Sequence, residues 1–209
     1  MRVFLLNSKI LSEINRKEEI TDDTYLITEQ EADLIQQNLD INGHFWIDEN
    51  KQLRLSGKAP NDYLDWDDVT HAWVVNPVKL EQWIVDEKIR LWEEIKKERS
   101  RVLQSGVKMV VNGTPKWFHT DMESQQSYDR AISHLKRHEG KSISWKTMDN
   151  TFVDLTLSDL NTLIDHIFVV GQRVFQIAEE KKQKLNALTD PQLISNFNVK
   201  EDWIEVYGG

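Results

Sequence analysis

The spacing of apolar residues changes character at Asn76–Pro77. Before it the apolar runs are short. Val3–Leu6 predicts a strand, a polar stretch runs to Asp23, and Tyr25–Ile27 predicts a second short strand. Thr28 with Glu31 has the spacing of a capping box, in which each side chain satisfies the other residue's free backbone N–H. It predicts a helix through Leu34, Ile35 and Leu39 that stops near Asn42–Gly43. His44–Ile47 and Gln52–Leu55 flank Asp48–Asn50 as a hairpin. Ser56–Thr70, with glycine, proline and four aspartates, is expected to be a loop, and His71–Val75 a returning strand.

From Asn76–Pro77 the period becomes helical. An asparagine N-cap followed by proline at the first helical position is a strong start, and Gly106 is the stop. A helix over 77–105 is about 44 Å long at the usual rise per residue. Its apolar side chains fall into two stripes. Leu80, Trp83, Ile84, Leu91, Ile95 and Val102 form the first. Val78, Val85, Ile89, Trp92 and Leu103 form the second, roughly 120° around the wheel. Two stripes predict packing on two sides, across two domains or onto another copy of the chain.

Beyond Gly106, Val107–Val111 and Pro115–His119 flank the turn Asn112–Gly113. Thr120 and Glu123 suggest another capping box, opening a helix through Tyr128, Ala131, Ile132 and Leu135 towards Gly140. Ser142–Thr147 and Thr151–Leu155 form a second hairpin across Met148–Asn150, with Trp145 expected to pack on Phe152 and Asp149–Asn150 to make the turn. Thr156 and Asp159 cap a last long helix. Its core face is read as Leu160, Leu163, Ile164, Ile167, Val174, Phe175, Ala178 and Leu185, and Pro191 bars its continuation. The class is α+β. Residues 1–76 form a small acidic domain, 77–105 a connecting helix, 106–190 a C-terminal α+β domain and 191–209 a tail.

Composition narrows the function classes. Of 209 residues 39% are apolar and 29% charged, which is ordinary for a folded domain. There is no cysteine, hence no disulfide framework and no thiolate chemistry. The formal net charge is −9. Residues 1–80 hold 8 basic and 15 acidic side chains, and residues 81–209 hold 18 and 20. An acidic front half repels phosphate, so nucleic acid is not an expected partner. Asn7, Ser8 and Lys9 interrupt the first apolar run too early for a signal-peptide core, and no stretch approaches the ~20 apolar residues that span a bilayer. A soluble protein with no membrane partner is expected.

The polar clusters favour structural explanations. His134 and His138 share a helix face, but Leu135 stands where a zincin would place glutamate. Asp65, Asp67 and Asp68 lack the spacing, glycine and closing glutamate of a calcium loop. His119 and Asp121 lie at a helix start, where a carboxylate caps. Lys96–Arg101 is interleaved with Glu93, Glu94 and Glu98 as a solvated helix face, and Lys181–Lys184 is read the same way. No nucleophile elbow, P-loop or dinucleotide fingerprint occurs. No catalytic residue, metal or cofactor is therefore expected.

Trp92, Ile95, Lys96 and Arg99 stand in the pattern W-x-x-I-K-x-x-R, followed by Gly113, Phe118 and Asp121. Then comes Trp145–Lys146–Thr147–Met148–Asp149–Asn150, with Val153, Leu155, Thr156 and Leu160 after it. On these residues the segment Lys88–Leu188 resembles an uncharacterised domain that recurs in tail-fibre proteins and tail-fibre assembly proteins of tailed phages and prophages. The N-terminal half resembles more loosely the front of tail-fibre assembly proteins: a threonine-started helix (Thr28–Leu39), a glycine and a short hairpin. It lacks their glutamine-rich turn and proline-rich linker.

The resemblance implies a non-enzymatic chaperone or cap for a trimeric tail fibre or receptor-binding protein. It would be made in the bacterial host cytoplasm and either released or retained in the virion tail. The alternative is a structural virion component, such as a baseplate or fibre-adaptor protein. Aromatic character singles out Trp83, Trp66, Trp203 and Tyr207 as partner contacts, and the 77–105 helix as a homo-oligomer surface.

Overall fold

A computed structural model describes residues 2–5, 10–13, 24–138 and 140–205. It is an α+β protein that divides into two units, Met1–Trp83 and Ile84–Gly209. Among the described residues no helix is long and apolar enough to cross a membrane.

In the first unit, β1 (Arg2–Leu5) pairs antiparallel with both β2 (Ile10–Glu13) and β3 (Thr24–Ile27). The strand β2 falls in the stretch expected to be merely polar. From β3 the chain enters α1 (Glu29–Asp40) through the expected Thr28–Glu31 capping box. The Tyr25 hydroxyl donates to Glu31 Oε1 at 2.7 Å, tying strand to helix. Ile27, Ala32 and Ile35 are buried with Tyr25, Phe45, Ile47 and Leu53 packed on them. The hairpin β4 (Phe45–Ile47) and β5 (Leu53–Leu55) follows.

The expected loop Ser56–Thr70 is not a loop throughout. Leu64–Asp67 is a strand, β6, paired with β7 (Ala72–Val75) so that Trp66 lies opposite Trp73. Asp65 and Asp67 occupy alternate positions, and their charge obscured the period of two. Asp67 also makes the turn, accepting from the Val69 and Thr70 amides at 2.7 and 3.1 Å.

The long helix α2 (Pro77–Gln104) starts and stops as expected. Its first stripe is buried from Leu91 through Ile95 to Val102. In the second stripe Val78, Val85 and Ile89 are exposed in the single chain, and Trp92 and Leu103 are half-buried.

In the second unit, β8 (Val107–Val111) and β9 (Thr114–Phe118) form one hairpin, and β10 (Ser142–Lys146) and β11 (Phe152–Thr156) another. Between them lies α3 (Met122–Leu135), and after them α4 (Leu157–Ala187). Val107, Met109, Val111, Phe118, Tyr128, Leu135, Leu155, Leu160 and Leu163 make the core. Partner residues along α2 and α4 run in opposite directions. Lys88 Nζ meets the Asn186 carbonyl at 2.9 Å, Lys182 lies 4.8 Å from the Trp92 ring, and Arg99 lies 4.8 Å from the Phe175 ring.

Three local expectations are corrected, and the tail takes a structure that the sequence left open. The α3 N-cap is Asp121, not Thr120, because Thr120 is buried and bonded elsewhere. Trp145 does not pack on Phe152. The register sets Trp145 opposite Val153 and Lys146 opposite Phe152, so Phe152 is exposed while the Trp145 ring lies 4.7 Å from Tyr128. The tail contains α5 (Pro191–Ser195), capped by Asp190, which buries Ile194 completely. Lys181 is not a solvated face. It is 5% exposed, its amine sits 5.6 Å from the Trp203 ring, and burial pushes its pKa down.

The W-K-T-x-D-N segment is a turn locked by one carboxylate. Asp149 accepts from the Thr147 hydroxyl, from Lys116 Nζ at 2.9 Å, and from the Thr151 hydroxyl and amide at 2.7 and 3.1 Å. These bonds, the Thr147 bond foremost, hold its carboxyl well below the usual range. Asn150 takes φ 63°, a left-handed conformation that asparagine tolerates.

Candidate functional site

The second unit carries an open groove of about 770 Å³ where the end of α2, the start of α3 and the middle of α4 meet. Its floor is a junction held by one hydroxyl. Thr120 Oγ1 donates to the Leu103 carbonyl at 2.5 Å and accepts from the Gly106 amide at 3.2 Å. Gln125 Nε2 donates to the Thr120 carbonyl at 2.6 Å. With the Thr120 hydroxyl engaged by these two segments, the cap of α3 is Asp121. Asp121 accepts from the Ser124 amide at 2.9 Å, and its Ser124 bonds keep its carboxyl below the ordinary value.

The walls are apolar. Val102, Leu103 and Val107 line one side, and Ile167, Phe168, Val170 and Phe175 the other. Phe168 is 63% exposed, Phe175 53% and Met122 77%, a concentration of apolar surface that water solvates poorly. Gln104, Gln125, Gln172 and Gln176 make a neutral polar border, and the capping Asp121 is the one charged group in the lining. Such a border gives hydrogen bonds to a peptide without imposing a charge on it.

The sequence pattern around Arg99 supports this wall. Its guanidinium lies over the Phe175 ring at 4.8 Å, an attraction between cation and ring face, and its Nε is buried with no hydrogen-bond partner. Trp92 is flanked by the amines of Lys96 and Lys182 at 5.8 and 4.8 Å. Lys96 also pairs with Glu93, and Arg101 with Glu98 at 2.7 Å. Lys96, Arg99 and Arg101 are therefore engaged by carboxylates of their own helix and by two rings, while Lys97 is exposed.

Gly171 sits where α4 passes Leu103. A methyl group there would meet Leu103 Cδ2 at 4.0 Å, which is ordinary contact. Glycine inside a helix costs about 0.5–1 kcal/mol relative to alanine. Gly171→Ala is accordingly expected to raise stability by about that amount, measured by urea denaturation.

The sequence-derived contact residues lie elsewhere. Trp83, half-buried, meets Tyr63 edge-on at 5.3 Å. Trp66 belongs to a group of stacked rings in the first unit. Trp203 is engaged by its own segment, its indole N–H donating to the Val199 carbonyl at 2.8 Å. Tyr207 lies outside the described residues. The His134 and His138 rings lie 4.6 Å apart with their planes tilted by 43°, and among the described residues no group of three His, Asp or Glu side chains is placed to hold a metal ion. Sequence reasoning missed Met122 and Phe168 and assigned Phe175 to the core. The available signal was the run Ile167–Val170, four apolar residues around a helix that has only one core face.

Residues 86–199, more than half of the chain and all of the groove lining, match the family model described as a domain of unknown function, DUF4376. No curated protein and no solved structure matches the chain.

Proposed function

The chain belongs to the DUF4376 family, and from that premise we propose that it is a phage tail-fibre assembly protein: a non-enzymatic chaperone or cap that holds the fibre by non-covalent contact. The observation that carries the reading is the groove, an apolar trough with a neutral border, together with the resemblance of residues 88–188 to a domain of tail-fibre and tail-fibre assembly proteins. A fibre subunit exposes apolar edges until three copies assemble. Phe168, Phe175 and Met122 offer those edges a dry surface inside the host cytoplasm, and the glutamines accept and donate to the segment's backbone.

The test is co-expression of the tail-fibre protein with and without this chain. Soluble trimer yield is expected to rise severalfold when the chain is present, and equal yield without it would sink the chaperone reading. Counting the chain in purified particles by mass spectrometry separates the two modes of action. Absence from particles marks a released chaperone, and a fixed copy number marks a retained structural component.

A further inference from the structure

The first unit holds a second concavity, a cleft of about 560 Å³ that belongs to no sequence motif. We propose that this cleft binds a neutral saccharide. One wall is aromatic. His44 and Trp66 stack at 4.9 Å with their planes 7° apart, and Trp73 meets both rings edge-on at about the same 5.4 Å. All three are half-buried and line the cleft. Together these rings give the cleft an apolar wall on which the C–H groups of a pyranose can pack.

The remaining lining is polar, and its charges cancel. Lys58 and Lys79 supply two amines, and Asp62 and Asp65 two carboxylates. Lys79 and Asp65 are paired with each other. A site of zero formal charge gives no net attraction to a phosphate or a cation, whereas a ring of hydroxyl groups uses donors and acceptors together. Asn42 and Asn61 add both kinds on planar amides. The side chains of Asn42, Lys58, Asn61 and Asp62 make no hydrogen bond or ion pair with another described residue, so they are available to a ligand.

The cleft is built before any ligand arrives. Asn38, 5% exposed, donates through Nδ2 to the His44 carbonyl at 2.8 Å and accepts from the Gly57 amide at 3.0 Å. The His44 amide donates to Ser56 Oγ at 2.7 Å. One buried amide thus fixes the segments on both sides of the opening. Gly43 is required beside it, because a Cβ there would lie 2.5 Å from both polar atoms of the Asn38 amide. A preorganised, partly aromatic cleft of this volume is the usual form of a small-ligand site.

The test uses the full chain on an array of neutral glycans, followed by calorimetric and tryptophan-fluorescence titration of the strongest binder. Saturable binding is expected, with a change in emission from the cleft tryptophans. The double variant Asn61→Ala, Asp62→Ala removes two exposed side chains that support no fold contact. It is expected to keep the melting midpoint and to weaken binding at least about tenfold. No neutral binder on the array, undiminished affinity in that variant, or binding confined to polylysine or inorganic phosphate would each overturn the assignment. Because the groove lies in the other unit, a groove variant such as Phe168→Asp should leave glycan affinity unchanged, so failure of this proposal and failure of the fibre reading are separately visible.

Discussion

Replacing Gly106 by alanine is expected to lower the stability of the second unit by about 3 kcal/mol, a fall of roughly 10 °C in melting midpoint. Gly106 has φ 88°, where an L side chain is strained by about 1–3 kcal/mol. Its position is also closed sterically. A Cβ would lie 2.3 Å from Met148 Sδ and 2.9 Å from the Phe118 carbonyl oxygen. Met148 Sδ sits near the end of a flexible, half-buried side chain and can turn aside, but the Phe118 oxygen is backbone of a fully buried residue and does not yield cheaply. Gly113 and Gly140 supply the control, since both have positive φ and nothing within 4 Å of an added Cβ. Their alanine variants should show the strain alone, about 1 kcal/mol. Equal losses at 106 and 113, measured by thermal and urea denaturation, would show that the close approach to Met148 and Phe118 is not what demands glycine.

The second large effect concerns binding rather than folding. Phe168→Asp places a charge on the groove wall at a residue already 63% exposed, so folding stability should change by no more than about 0.5 kcal/mol. A buried aromatic anchor at an interface commonly carries 2 kcal/mol or more, and a buried unpaired carboxylate adds a desolvation cost. Affinity for the proposed tail-fibre partner is therefore expected to fall by a factor of about 30 or more, read by calorimetry. Val85→Asp on α2, also exposed but outside the groove lining, should bind like the unaltered chain. If Val85→Asp rather than Phe168→Asp abolishes binding, the exposed stripe of α2 is the contact surface.

Much of this fold was legible because its signals are local. Thr28 with Glu31 and Thr156 with Asp159 each place a hydroxyl and a carboxylate where a helix start needs them, and both boxes form. Asn112–Gly113 and Asp149–Asn150 mark their hairpins for the same reason. What escaped depends on partners distant in sequence. Thr120 has the right spacing for a cap, yet its hydroxyl is claimed by Leu103 and Gly106 across the junction. Phe175 lies near the core face of α4 on a helical wheel. It is exposed because the groove opens there, and the wheel carries no information about where neighbouring helices end. The strand Leu64–Asp67 was hidden by its own aspartates. Their alternation with Leu64 and Trp66 was the evidence for a strand, and their number suggested a loop. The W-x-x-I-K-x-x-R pattern lies inside the segment that matches the family and places Arg99 against a groove wall, a role that only the pairing with Phe175 reveals.

The central claim, that the groove docks the fibre, is tested most directly by site-specific photocrosslinking. A benzoylphenylalanine incorporated at position 168 samples the groove wall, and one at the exposed position 161, near the start of α4, samples surface outside it. With the co-expressed tail-fibre protein present, irradiation is predicted to join the two chains from position 168 and not from position 161. A stable complex that crosslinks from 161 but not from 168 would contradict the account.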